Sequence, residues 1–390
     1  MLPAARVAVL LAVVVVVTSH DHPIHELAAG QLSFSTKLYE ILSEREGNLV
    51  FSPATLQTLL GMLYLTAAGK NAEQLARNIG LPHHAEDAPR AFREMLRNIL
   101  NANEYASTYI FNDIFVSSPF NISDDLRNTV SKNFLGNIQQ VDITKDSEGI
   151  KEKLNAQLEK LGQKKFKSFV QPDFIAKDNI LAVSGLYVAG DWTENLVRRT
   201  VSTHPFYVSK IDSKEIYMLT GTGALRTTTL AVPRGTRVLE LPYKENELLL
   251  TVLLPAEKDG LRELERHLKD INIRKMKRSL EDRNVKVTLP LVEELSQISF
   301  KEPLIKLGLV DMFDEKASSF PGLIDAPLQL SDIIQETYVI FTSNGTKIAS
   351  ALGPRAAEET LEFTIDHPFF FIIEEPKTET LVAIGRFTTP

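Results

Sequence analysis

Apolar positions along the chain change period about halfway. From Leu27 to Glu46 they recur at helical spacing, and Gly47-Asn48 marks the stop. Ser52-Pro53 then supplies an N-cap followed by proline at the first helical position. In the helix that follows, Leu56, Leu59, Leu60, Met62, Leu63 and Leu65 lie almost all round, so burial is expected. Asp87–Asn101 reads as an amphipathic surface helix and Ser147–Leu161 as a long helix of mixed polarity. Strand-like runs start at Tyr109–Val116. They continue at Ile180–Val188, Thr203–Val208, Arg237–Pro242, Leu248–Pro255 and Asn284–Leu291, with short helices expected at Leu261–Leu268 and Ser299–Leu307. Helices crowd the first half and strands the second, with no repeat or linker, which is α+β organisation in one large domain.

Near the C-terminus two more apolar runs, Ile333–Phe341 and Phe363–Glu375, read as strands, the second largely buried. The stretch between them, Ser343 to Phe363, has the opposite character. It opens on Gly345-Thr346, passes through Ala349, Ser350 and Ala351, turns at Gly353-Pro354 and continues Arg355-Ala356-Ala357-Glu358-Glu359-Thr360. A connection this long inside a compact domain is uncommon, and long exposed loops usually carry function. The pattern suggests bait: a loop offered to something that cleaves loops.

Composition sets the compartment and narrows the chemistry. Of the 390 residues 44% are hydrophobic and 24% charged, enough apolar surface for an ordinary core. A formal net charge of −7 argues against a nucleic-acid partner. Arg6, the apolar run Val7–Val17 and Thr18-Ser19 make residues 1–19 a secretory signal, too short to span a bilayer, so the expected location is extracellular. There is no cysteine, so stability outside the cell has to come from core burial, and thiol catalysis is excluded. His20–Glu26 holds three of the eight histidines and reads as a flexible new N-terminus, with no metal expected there. Asn121 and Asn344 each begin a glycosylation sequon. Two basic clusters, Lys164–Lys167 and Arg274–Arg278, are flanked by acidic residues and read as solvated faces, so a glycosaminoglycan partner is not expected.

A catalytic constellation is missing from the sequence. There is no glycine-rich phosphate loop, no G-x-S-x-G elbow and no H-E-x-x-H pair. His367 beside Asp366 reads as structural. Glu293-Glu294 and Glu374-Glu375 alternate across a strand or lie in a turn, so neither pair converges as glycosidase carboxylates do. No catalytic residue, cofactor or metal is expected; function should lie in a surface and a conformational change.

Eight short motifs, in order, resemble one family. Asn48-Leu49-Val50-Phe51-Ser52-Pro53, Gly69 to Gln74, Asn112 to Phe115, Ser184 to Trp192, Leu239 to Tyr243, Leu253 to Pro255, Leu307-Gly308 with Phe313, and Asp366 to Phe369 match the serpin pattern over nearly the whole mature chain. The resemblance implies three β-sheets, about nine helices and an exposed reactive loop, here about 343–363. It also implies a mechanism. A protease cuts the loop and forms an acyl-enzyme. The loop then enters the main sheet as a new central strand; some 14 residues at about 3.3 Å each span roughly 45 Å, dragging the protease with them. The partner implied is therefore a protease, and the inhibitor is expected to be a monomer.

Departures from the family pattern shape the expectation. The hinge residues Gly345, Thr346, Ala349, Ser350 and Ala351 are suitably small. Ser343 stands where the family carries glutamate, and Ile348 where it carries alanine. Pro354 has no N–H to give a central strand. Ser184 and Gln335 stand where an asparagine and a histidine gate the sheet, and the loop is a few residues shorter than most inhibitory members carry. Counting from the hinge puts the scissile bond near Glu359-Thr360; the loop midpoint puts it within Gly353–Ala357. There Arg355-Ala356 suits a trypsin-like protease, Ala356-Ala357 an elastase-like one, and Leu352-Gly353 a papain-like cysteine protease. A short loop with impaired insertion favours the cysteine target. The alternatives are a trypsin- or elastase-like target and a non-inhibitory carrier or storage role.

Overall fold

The computed structural model describes residues 22–101, 106–117, 122–141, 180–193, 195–323, 329–343 and 360–390, together with 148, 149, 152 and 156. The leader 1–19, Asn121, most of the helix expected at 147–161, the basic cluster 164–167 and the loop residues 344–359 lie outside these.

In chain order the elements are α1 (Pro23–Leu42), β1 (Leu49–Phe51), α2 (Pro53–Thr66), α3 (Gly69–Ile79), α4 (Ala88–Asn101), β2 (Ala106–Ser117), α5 (Asp124–Phe134), β3 (Asn137–Val141), β4 (Ile180–Gly190), β5 (Val197–Tyr207), β6 (Ser213–Thr229), β7 (Arg237–Pro242), β8 (Leu249–Leu254), α6 (Leu261–His267), α7 (Ile273–Arg278), β9 (Glu281–Pro290), β10 (Val292–Ser299), α8 (Lys301–Lys306), β11 (Leu330–Phe341), β12 (Leu361–Thr364), β13 (Phe369–Glu375) and β14 (Thr380–Phe387). The described residues thus contain eight α-helices.

Several boundaries differ from the sequence reading, for identifiable reasons. α1 ends at Leu42, not Glu46, because the carbonyls beyond it are turned toward a side chain: Arg386 donates to the oxygens of Ser43, Arg45 and Gly47. The apolar run Phe363–Glu375 is two strands, broken at Asp366-His367-Pro368. Proline cannot continue a ladder, and the halves serve different neighbours: β12 pairs β9, whereas β13 lies between β14 and β8. The 17-residue strand β6 escaped the sequence reading, since its central Thr-Gly-Thr-Gly dilutes the apolar alternation. At α2 the expectation holds, with Ser52 Oγ accepting from Thr55 N–H at 3.2 Å.

The strands make two hydrogen-bonded arrays. One runs β1-β14-β13-β8-β7-β6-β9-β12, with β5 also on β6; the other runs β10-β11-β4-β2-β3. Two of the three expected sheets are continuous here through β6. Its end Arg226–Thr229 pairs β7, and its earlier residues pair β5 and β9. A single apolar cluster from Ile24 to Phe387 joins α1, α2 and α4 to both arrays. Helix α1 crosses the end of α3 with backbone against backbone. A Cβ on Gly30 would lie 2.2 Å from the Gly80 carbonyl oxygen, so only glycine fits.

Candidate functional site

The loop leaves the end of β11 and returns at the start of β12, so the structure fixes its two anchors. Of the loop and hinge residues singled out from the sequence, Ser343 and Thr360 are described, both exposed; Gly345, Thr346, Ile348 to Ala351, Leu352 to Glu359 and the sequon Asn344 are not among the described residues.

At the first anchor β11 is buried along its whole length, and Thr342 just beyond it is tied to the neighbouring strand. The Trp192 indole N–H donates to the Thr342 carbonyl at 2.8 Å, and Thr342 Oγ1 donates to the Gly190 carbonyl at 3.1 Å. Trp192 is fully buried and stacks on Tyr243, ring centroids 4.7 Å apart. Burial pushes the Tyr243 phenol above its ordinary range. The only tryptophan therefore latches the end of β11 to the end of β4.

The second anchor is parallel pairing of β12 with β9, from Leu361 opposite Val285 to Thr364 opposite Thr288. Phe363 points into the core, and the Arg237 guanidinium lies 4.6 Å over its ring. Outside, Lys286 and Glu362 form an exposed ion pair at 3.0 Å, and Asn284 Nδ2 donates to Thr360 Oγ1 at 2.8 Å.

Leading up to the first anchor is the seam where β11 and β4 run parallel, with Gln335 opposite Ser184. These are the two residues that the sequence reading placed at the gate, and the structure brings them together. Gln335 is buried under the first turn of α2. Its Oε1 accepts from Ser52 N–H at 2.7 Å, and its Nε2 donates to Ser52 O at 2.9 Å and Thr55 Oγ1 at 2.8 Å; Ser184 Oγ is 3.4 Å away. The Asn112 amide, turned so that its nitrogen faces carbonyls, donates to Thr55 O at 3.1 Å from β2. The seam's inner face is thus closed by neutral hydrogen bonds.

The outer face is different. Gly185, opposite Glu336, has the Phe111 ring laid across it; a Cβ there would meet Phe111 Cε1 at 2.0 Å. Tyr109, Tyr187 and Tyr338 form a ladder across β2, β4 and β11 with centroid spacings of 5.9 and 5.5 Å. Glu336 sits on this face with 3% of its surface exposed, and its Oε2 has no hydrogen-bond partner. Burial alone pushes its carboxyl up to about 8. The sequence reading passed over Glu336, although a lone carboxylate inside IIQETYVIF was a visible signal.

No catalytic arrangement forms among the described residues. His367 is buried, its Nδ1 2.7 Å from Asp366 Oδ1 and its Nε2 3.0 Å from the Pro255 carbonyl, so both ring nitrogens are engaged structurally. Glu293 is solvent-facing and accepts from Tyr338, whereas Glu294 accepts from Asn48. Glu374 and Glu375 are buried at the end of β13, the first paired with Lys277, the second accepting from Lys377 N–H and Thr378 N–H. No group of three or more histidine or acidic side chains among the described residues is placed to hold a metal.

Known proteins share this fold. The family model described as Serpin (serine protease inhibitor) matches residues 29–390. Serpin B5 of Rattus norvegicus is 24% identical over 368 residues, 92% of this chain and 98% of the relative. The leukocyte elastase inhibitor of Xenopus laevis is 25% identical over 378 residues, 93% and 99% of the two chains. Among solved structures, maspin superposes with a TM-score of 0.85 at 24% identity and uncleaved ovalbumin with 0.83 at 20%, each over 94% of this chain and all of the other. The chain belongs to the serpin family, and its kind is the protease inhibitor, not the enzyme.

Proposed function

We propose that this chain is a secreted inhibitor that offers its reactive loop, about residues 343–363, as bait, and that its preferred target is a papain-like cysteine protease. The observation that supports bait-and-insertion is the state of the seam. β4 and β11 are parallel and paired directly, from Ile180 opposite Leu330 to Gly190 opposite Phe341, and the bait leaves β11 at that last position. A cut loop turning back from Phe341 would run antiparallel to both strands. One parallel ladder would be exchanged for two antiparallel ones, the slightly stronger pairing. Opening requires the Trp192–Thr342 latch and the Gln335 contacts to part. Each neutral hydrogen bond contributes about 0.5–1.5 kcal/mol net, little against the burial of a whole new central strand.

The target class rests on the bait's own chemistry. Ile348 and Pro354 slow insertion, and a short loop leaves little slack. A serine acyl-enzyme then has time to hydrolyse, so serine proteases cut and escape. A papain-like enzyme forms a thioester and depends on a thiolate–imidazolium pair that modest displacement disturbs. Ala356-Ala357 and the relative named as an elastase inhibitor favour a second reading, an elastase-like serine protease. Titrating papain, trypsin and pancreatic elastase with the protein separates the two. The first reading expects papain activity to vanish near equimolar inhibitor while trypsin and elastase cleave the loop and stay active. Equimolar loss of elastase activity with papain unaffected would replace it with the second.

A further inference from the structure

We propose that the cleft between α7 and the turn joining β13 to β14 binds a compact polyanion, a small molecule carrying two or more phosphate, sulfate or carboxylate groups close together. This cleft, about 540 Å³, is lined by none of the residues of the β4–β11 seam or of the two loop anchors. Three residues of the second basic cluster, Arg274, Lys277 and Arg278, line it, and the inhibitory mechanism leaves them without a use.

Its charges are not balanced. Arg226, Arg274, Lys277, Arg278 and Lys377 line it against the carboxylates of Glu240, Glu374 and Glu379, a surplus of two cations in a chain whose net charge is −7. Each carboxylate is already taken. Glu240 receives Arg226 Nη1 at 2.8 Å, Glu374 receives Lys277, and Glu379 receives Arg274 Nε at 3.0 Å. Glu240 and Glu374 are themselves buried, so those two pairs act as fixed struts; Arg226 is held further by donation from Nη2 to the Lys277 carbonyl at 2.9 Å. What remains is donor capacity with no acceptor in the cleft: the Arg278 and Lys377 side chains, and the terminal nitrogens of Arg274. Arg278 and Lys377 are exposed at the cleft's edge. Guanidinium forks match the oxygens of phosphate and sulfate in pairs, and an ammonium adds a movable point charge. A cleft of this volume matches a small molecule.

The test uses the full mature protein with inorganic pyrophosphate as probe, followed by calorimetry at physiological salt. Saturable binding of one pyrophosphate is expected. In the double variant Arg278→Gln/Lys377→Gln the affinity should fall about tenfold or more, since two charge-assisted contacts are removed. The control Lys301→Gln/Lys306→Gln, which removes equal charge elsewhere, should bind as the parent does. Glu379→Gln should bind more tightly, because it frees Arg274; a purely structural role for that ion pair gives no such gain. The proposal is overturned if the control loses as much affinity as the double variant, if no saturable heat appears, or if only a heparin-derived octasaccharide binds. A melting temperature within a few degrees of the parent keeps each variant interpretable, as all the substituted side chains lie at the surface.

Discussion

β11 and β13 are both buried from end to end, yet they are built from opposite materials. In β13 the run Phe369–Ile373 is wholly apolar and lies in antiparallel ladders with β14 and β8. Its two carboxylates come last, and each has partners. β11 carries Ser331, Asp332, Gln335, Glu336 and Thr337 inside the sheet and is parallel to β4. Apolar packing is lost only by exposing it to water, whereas a neutral hydrogen bond can be exchanged for another at small net cost. On the proposed insertion mechanism, one array stays fixed and the other parts along a seam. The two meet where Phe341 packs edge-on to Phe371 at 5.4 Å, so the arrays touch at the loop's first anchor.

The largest expected effect lies on the rigid side. Phe371→Ala removes a fully packed ring and should cost about 3–5 kcal/mol of stability, read as a lower urea midpoint. On the seam, Gln335→Ala leaves the Ser52 N–H buried without its acceptor and should cost less, about 1–3 kcal/mol. Its distinguishing mark is locality: amide exchange should quicken in β4 and β11 and stay unchanged in β8, β13 and β14. A Gln335→Ala protein less stable than Phe371→Ala, or exchanging faster everywhere, would remove the contrast between the two arrays.

How much of this contrast was legible beforehand depended on which residues carry it. The rigid strands were plain in the sequence because FFFII and LLLTVLL can only be core. Helix α2 was plain because Ser52-Pro53 is a local cap that needs no tertiary partner. Ser184 and Gln335 were placed at the gate through family resemblance, and the structure makes them neighbours across the seam. Invisible were contacts between residues far apart in the chain: Trp192 on Thr342, Arg386 on the end of α1, Phe111 on Gly185. No periodicity encodes these, since each is fixed by where two arrays pack. The break inside Phe363–Glu375 was signalled by Pro368, and the continuous apolar composition on both sides of it concealed the change of neighbours.

Glu336 turns the contrast into a pH dependence. In the folded chain its carboxyl is pushed up to about 8, against about 4.5 when solvated, so between those values the folded state binds more protons than the unfolded one. Stability from this group is complete below about pH 4.5 and is lost as pH rises through about 8. The slope approaches about 1.4 kcal/mol per pH unit for one proton. Burial raises Asp332 and Glu374 in the same direction, so they add to the parent's slope. Glu336→Gln, neutral at every pH, should flatten the fall in melting temperature between pH 6 and 8 and raise stability most at pH 8. Parallel curves for variant and parent would show that the Glu336 carboxylate is solvated in the folded state.

The smallest effect is expected at the second anchor, where appearance and energetics part company. Lys286 and Glu362 make a clear ion pair beside the bait, but both side chains are about half or more exposed, at 48% and 72%. Pairs of this kind contribute about 0.2–1 kcal/mol, because water screens the charges and two long side chains lose freedom. Phe363, fully buried on the other face of the same strand, contributes several times more. Lys286→Ala should therefore leave the melting temperature nearly unchanged at physiological salt and leave inhibition intact, whereas Phe363→Ala should loosen β12 from β9. Residual protease activity and amide exchange in β12 read the two outcomes. If Lys286→Ala released β12 as readily as Phe363→Ala, the anchor would be electrostatic, and the rigid array would end at β9 instead of reaching the bait.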